Sequence, residues 1–197
     1  MGAHNLCVCE SLCSDCEFYA GGGVGHADEG GVALYKLDLP RKQWRFVQQL
    51  IGTSQEGGIE WRGACWPLGN APLCLDGLSC LTKFKGEWFL YVRANIGADG
   101  RRYVQVCKGS TLDSLGPFQL IHIQNYDVSN DVYLFHVYDL GEMALALTPV
   151  SIADGGGIYT TTSFDGIVFS PLRVLLPCDS FQHRTAHMPA YGLEVVG

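Results

Sequence analysis

Residues 75–121, LDGLSCLTKFKGEWFLYVRANIGADGRRYVQVCKGSTLDSLGPFQLI, alternate short apolar runs with glycine-bearing turns. This pattern admits few folds. The runs are SCLTKF, then GEWFLYVRA after a Lys-Gly turn, then RRYVQVCKG after an Ala-Asp-Gly turn, then a closing GPFQLI. They are too short for amphipathic helices and rich in the aromatic and β-branched residues that suit a pleated surface, so a four-stranded antiparallel meander is expected.

The second half of that meander recurs. VALYKLDLPRKQWRFVQQLI from Val32, YVQVCKGSTLDSLGPFQLIHI from Tyr103 and GIYTTTSFDGIVFSPLRVLL from Gly157 each give a strand, an Asp-bearing turn and an aromatic that opens a second apolar strand. The aromatics are Trp44, Phe118 and Phe169. The last two stand about one propeller blade apart, roughly 40 to 50 residues. The first two are further apart by about 20 residues, which places an insertion at 57–72. The chain therefore reads as all-β: a β-propeller of four-stranded antiparallel blades, about three of them visible, over 32–197. With 25 Gly and 8 Pro among 197 residues, 47% hydrophobic and 17% charged, the composition favours sheets and turns around one buried core. A ring of five blades at about 50 residues each needs roughly 250 residues. An incomplete arc is thus expected, with open sheet edges that invite self-association.

Residues 1–31 read differently, as a Cys- and Gly-rich leader without strand pairs. Cys7, Cys9, Cys13 and Cys16, with His4 and His26 near them, are residue types that bind zinc, but finger-type sites pair two separated knuckles and only one is present. The other reading is a flexible, disordered leader carrying reactive thiols. Nine cysteines cannot all pair, and Cys65, Cys74, Cys80, Cys107 and Cys178 lie among apolar residues as buried thiols. A reducing compartment is slightly favoured, cytoplasmic over secreted, with no signal peptide visible. The formal charge of -7 and the lack of a basic stripe exclude a nucleic-acid backbone as main partner. No apolar run is long enough for a membrane-spanning helix, so no membrane partner is expected.

Several residues suit ligand recognition. In the irregular stretch EGGIEWRGACWPLGN, Trp61 and Trp66 offer faces for a sugar, and Glu60 and Arg62 offer hydrogen bonds to hydroxyls; both Trp side chains would equally serve to cover the sheet. Arg184 and His187, in FQHRTAHMPAYG, suit substrate hydroxyls or a carboxylate. His183 and His187 share a face only in a helix, which Pro189 opposes. Arg93 and Asn95 end the second strand of the best-defined blade, to face an axial pocket or pair with an acid of the next blade. Tyr126 and Tyr133 flank the next blade opening, for the same pocket or for core packing. His122 and His136 alternate with apolar neighbours as sheet residues.

At LDGLSCLTKFKGEWFLYVRAN, and again at SFDGIVFSPLRVLL, the chain resembles the five-bladed β-propeller glycosidases, the group of invertases, arabinanases and xylosidases. The resemblance covers about 32–192 and implies hydrolysis of a glycosidic bond by carboxylates from different blades, with no obligatory cofactor and no metal. It places the helper carboxylate of the second blade at Asp76. The acid opening the following blade falls near Asn130 and Asp131, where Asp131 stands in place of the family's Glu. The first-blade Asp has no counterpart. The resemblance therefore implies a carbohydrate ligand, with catalysis by Asp76 and Asp131 if the chain is active. The competing expectations are a non-catalytic module that binds glycan or protein, and a zinc-stabilised adaptor using the N-terminal cysteines.

Overall fold

The computed structural model describes residues 6–10, 18–23, 32–51, 79–96, 101–116, 118–127, 129–152 and 155–178. Fifteen strands and one 3-10 turn at Leu112–Ser114 are found among them, without an α-helix. The first sheet is β1 (Leu6–Glu10), β2 (Phe18–Gly23), β3 (Val32–Asp38) and β4 (Gln43–Ile51) in simple sequence order, all antiparallel. The second is β5 (Cys80–Phe84), β6 (Glu87–Ile96), β7 (Arg101–Gly109) and β8 (Gln119–Leu120), again in order and antiparallel. A connecting strand β9 (His122–Ile123) follows. The third sheet comprises β10 (Asp131–Val132), β11 (His136–Asp139), β12 (Ala144–Ile152), β13 (Gly155–Ser163), β14 (Val168–Phe169) and β15 (Arg173–Cys178), with β9 joined to it in parallel through β14. There β10 and β11 together form the first strand, both pairing with β12, while β15 pairs with β13 as the fourth. These are three four-stranded blades, the expected architecture.

The second blade matches the meander expected from residues 75–121. Lys85 and Gly86 turn the chain with φ of 49° and 83°, the left-handed pair that a two-residue hairpin requires. The three recurrent segments are the outer halves of the three blades: β3–β4, β7–β8, and β13 with β14 and β15. The insertion assigned to 57–72 lies outside the described residues. Residues 1–31 differ from expectation, because β1 and β2 pair with each other and then with β3. A strand such as FYAGGG carries little side-chain pattern, and its place comes from the main-chain ladder. Of the zinc reading, Cys7 and Cys9 fall in β1; Cys13 and Cys16 lie outside the described residues.

Strand β6 reads WFLYV without alternation because both faces of the second blade are covered. Phe89, Leu90, Tyr91 and Val92 are all buried. Between the second and third blades lies an aromatic core: Tyr91 meets Phe135 at 5.7 Å and Phe169 at 6.3 Å, and Phe135 packs edge-on to Phe169 at 4.9 Å. The turn SFDGIVF closes the third blade. Its Asp165 Oδ1 accepts the main-chain N–H groups of Ile167 and Val168 and the Ser163 hydroxyl, each within 3.0 Å. Tyr91 Oη donates to the Gly166 carbonyl at 2.8 Å and Lys85 Nζ to the Phe164 carbonyl at 3.0 Å, tying this turn to the second blade. Cys80 and Cys107 are buried, as expected. No described helix is long and apolar enough to cross a membrane.

Candidate functional site

Antiparallel order fixes which side chains share an end of the blades. Pairing of Cys80 with Tyr91 and of Ile96 with Arg101 puts the start of β5, the end of β6 and the start of β7 at one edge. The start of β10 joins them, because Asp131 reaches the first residues of β7. Its Oδ1 accepts the Arg102 main-chain N–H at 2.9 Å, and its Oδ2 lies 3.6 Å from Arg102 Nη1 and 3.9 Å from Arg101 Nη1. The Arg102 guanidinium lies over the Tyr133 ring, 4.6 Å from its centroid, and donates to Tyr133 Oη at 3.5 Å. Aromatic stacking of this kind restricts a flexible cation to one orientation.

Arg93 belongs to the same neighbourhood. It pairs with Val104 in the β6–β7 ladder, two residues from Arg102, so Arg93 and Arg102 lie on one face of the sheet. A narrow cleft between the second and third blades is lined by Tyr91, Arg93, Tyr103, Tyr133 and Phe135 among others. The Gln105 side-chain amide, itself buried, donates to the Arg93 carbonyl at 3.0 Å and fixes the strand beneath it.

The tyrosines behind this edge are structural phenols. Burial pushes the Tyr103 hydroxyl up from its ordinary range, partly offset by the bond it accepts from the Ile123 main-chain N–H at 3.2 Å. Burial likewise raises Tyr126, helped by the nearness of Tyr103, Asp131 and Asp127; it donates to the Asn130 carbonyl at 2.7 Å and packs at a tilt against Tyr103, ring centroids 5.2 Å apart. Neither is arranged as a base near neutral pH. Tyr126 thus follows the packing alternative, whereas Tyr133 lines the cleft.

Of the residues expected in a site, the structure brings Asp131 and Arg93 to one edge. Asp76, Glu60, Trp61, Arg62, Arg184 and His187 lie outside the described residues. Arg101 and Arg102 were not singled out from the sequence, although two adjacent arginines opening a strand were the available signal. Asp131 pairs with these arginines of the preceding blade. His122 is exposed on β9, and His136 is buried on β11. No group of three or more His, Cys, Asp or Glu side chains suited to a metal occurs among the described residues.

No protein-family model and no curated protein matches the chain. Solved structures do. An N-acetylgalactosamine deacetylase from F. plautii superposes with a TM-score of 0.56 at 13% identity, over 88% of this chain and 52% of its own. The GH93 α-L-arabinofuranosidase of Fusarium graminearum, solved with arabinobiose, gives 0.58 at 13%, over 86% and 49%. The GH32 β-fructofuranosidase of Bombyx mori gives 0.57 at 9%, over 90% and 36%. The chain thus spans about half the length of these proteins or less. At such identities the likeness establishes the fold, and the fold is that of the five-bladed propellers to which the arabinofuranosidase and the fructofuranosidase belong.

Proposed function

We propose that this chain, folded like part of a five-bladed glycoside hydrolase propeller, engages a carbohydrate at the edge where β5 begins, β6 ends and β7 and β10 begin. The observation that carries the reading is the convergence of Asp131, Arg102 and Tyr133 there, with Arg93 on the same sheet face. Fixed planar donors beside an aromatic ring suit a ligand that presents both hydroxyls and an apolar ring face. Fold alone does not choose the chemistry, since the similar structures include a deacetylase as well as glycosidases.

Hydrolysis is the second reading, favoured by one observation: Asp131 opens the third blade, where the resemblance sets the acid. Cleaving a glycosidic bond needs one carboxyl group to protonate the leaving oxygen and another to act as base or nucleophile, about 5 to 10 Å away. Asp131 already accepts a main-chain N–H and faces two guanidinium groups. That arrangement suits an orienting anion better than a proton donor. On this reading Asp76 keeps the helper role that the resemblance gives it and Asp131 the place of the acid, which is why hydrolysis ranks second.

Turnover and binding over a panel of aryl-glycosides and oligosaccharides, compared for the wild type, Asp76→Asn and Asp131→Asn, test both readings. Turnover lost in the variants with the fold retained supports hydrolysis. Binding without turnover supports the binding module, and failure to bind or cleave any saccharide removes both.

A further inference from the structure

We infer that Arg101 and Arg102 form a binding site for the anionic group of an acidic glycan, either a uronate carboxylate or a sulfate ester. This rests on the carbohydrate reading and narrows it. Two cations here share one carboxylate. Asp131 Oδ1 is taken by the Arg102 main-chain N–H, and Oδ2 lies 3.6 and 3.9 Å from the nearest guanidinium nitrogens, beyond ordinary hydrogen-bond length. Each guanidinium carries five N–H donors. Arg102 directs one of them to Tyr133 Oη at 3.5 Å, and Arg101 makes no side-chain hydrogen bond among the described residues. Both arginines are more than a third exposed. The remaining donors are therefore open to solvent beside Tyr133, which lines the interblade cleft.

The local charge of these three side chains is positive, on a chain whose formal charge is -7. A neutral sugar gains nothing from that excess. A carboxylate or sulfate presents parallel oxygens that match the guanidinium fork. Stacking on Tyr133 holds Arg102 in place, so less side-chain entropy is lost when the anion docks. Asp131 acts here as the spacer that keeps the two guanidinium groups together.

The test is calorimetric titration of the full chain with an oligogalacturonate, its methyl ester, a sulfated oligosaccharide and inorganic sulfate. The methyl ester keeps the sugar and removes only the charge. At least one acidic saccharide is expected to bind tenfold or more tightly than the methyl ester, and that advantage should shrink as salt rises. The uronate and sulfate arms identify which group the site takes. Arg101→Gln should weaken acidic binding about tenfold while leaving the methyl ester unchanged, whereas Arg102→Gln should weaken the acidic saccharide more than it weakens the ester, with Arg102→Lys recovering only part of the loss. Arg101→Gln keeps the test open should Arg102→Gln disturb the strand. Equal affinity for acid and ester, or unchanged acidic binding in a folded Arg101→Gln, overturns the inference and leaves the carbohydrate reading standing. Inorganic sulfate binding as tightly as any saccharide also overturns it, and no saccharide binding at all overturns both.

Discussion

Asp131 Oδ1 accepts the main-chain N–H of Arg102 at 2.9 Å, so the residue that opens the third blade is bonded to the third strand of the second. That bond separates two contributions of one side chain. Asp131→Asn retains an acceptor and loses the charge, and with arginines more than a third exposed the loss should stay below about 1 kcal/mol. Asp131→Ala leaves the N–H without its partner and should cost about 1–3 kcal/mol. Urea unfolding of both variants checks the order; equal destabilisation would deny the main-chain bond its role.

Gly166 allows no side chain. Its φ is +75°, and a Cβ there would lie 2.6 Å from Phe89 Cε1 and 2.9 Å from Tyr91 Oη. Gly166→Ala should destabilise by about 2 kcal/mol or more, through backbone strain and overpacking together. Tyr91→Phe, which removes only the donor to the Gly166 carbonyl, should cost about 1 kcal/mol. A glycine variant no less stable than the tyrosine variant would contradict this geometry.

Phe169 is fully buried and packs on both Tyr91 and Phe135. Phe169→Ala should lose about 3–5 kcal/mol, the range for deleting a buried aromatic ring. Phe46, at 60% exposed on β4, provides the contrast. Phe46→Ala should change stability by well under half of that, measured in the same unfolding experiment.

Burial lowers the pKa of His136 from its ordinary value of about 6.5. The unfolded chain therefore binds a proton below about pH 6.5 that the folded chain does not, and stability falls as pH drops through that value. Above it, His136 contributes no slope. His136→Gln should flatten the dependence between about pH 7 and pH 5. Urea midpoints across that window test it, and an unchanged slope would assign the dependence to other groups.

The parts of the fold legible in the sequence were those where side-chain pattern and turn chemistry agreed. Lys85-Gly86 gave the hairpin between β5 and β6, and the SFDG turn marked the end of β13 because Asp165 caps the turn's own N–H groups. Strand β2 was missed because a glycine-rich strand is held by its neighbours' main chain and carries almost no pattern of its own, and β1, LCVCE, because its cysteines read as a ligand cluster. The first strand of the third blade was also obscured, since residues 133–135 interrupt it between β10 and β11. In the site, position picked out Asp131 and strand ending picked out Arg93. The partnership of Asp131 with Arg101 and Arg102 could not be read, because it spans two blades and depends on how they pack.

The chain leaving the second blade does not wait for the third to begin. Strand β9 pairs in parallel with β14, with the His122 N–H donating to the Ile167 carbonyl at 2.9 Å and the Gln124 N–H to the Phe169 carbonyl at 3.0 Å. These two amides precede the third blade in sequence and are protected by residues near its end. Their hydrogen exchange should therefore follow the opening of the third blade rather than that of the second, so the end of one blade reports on the stability of the next.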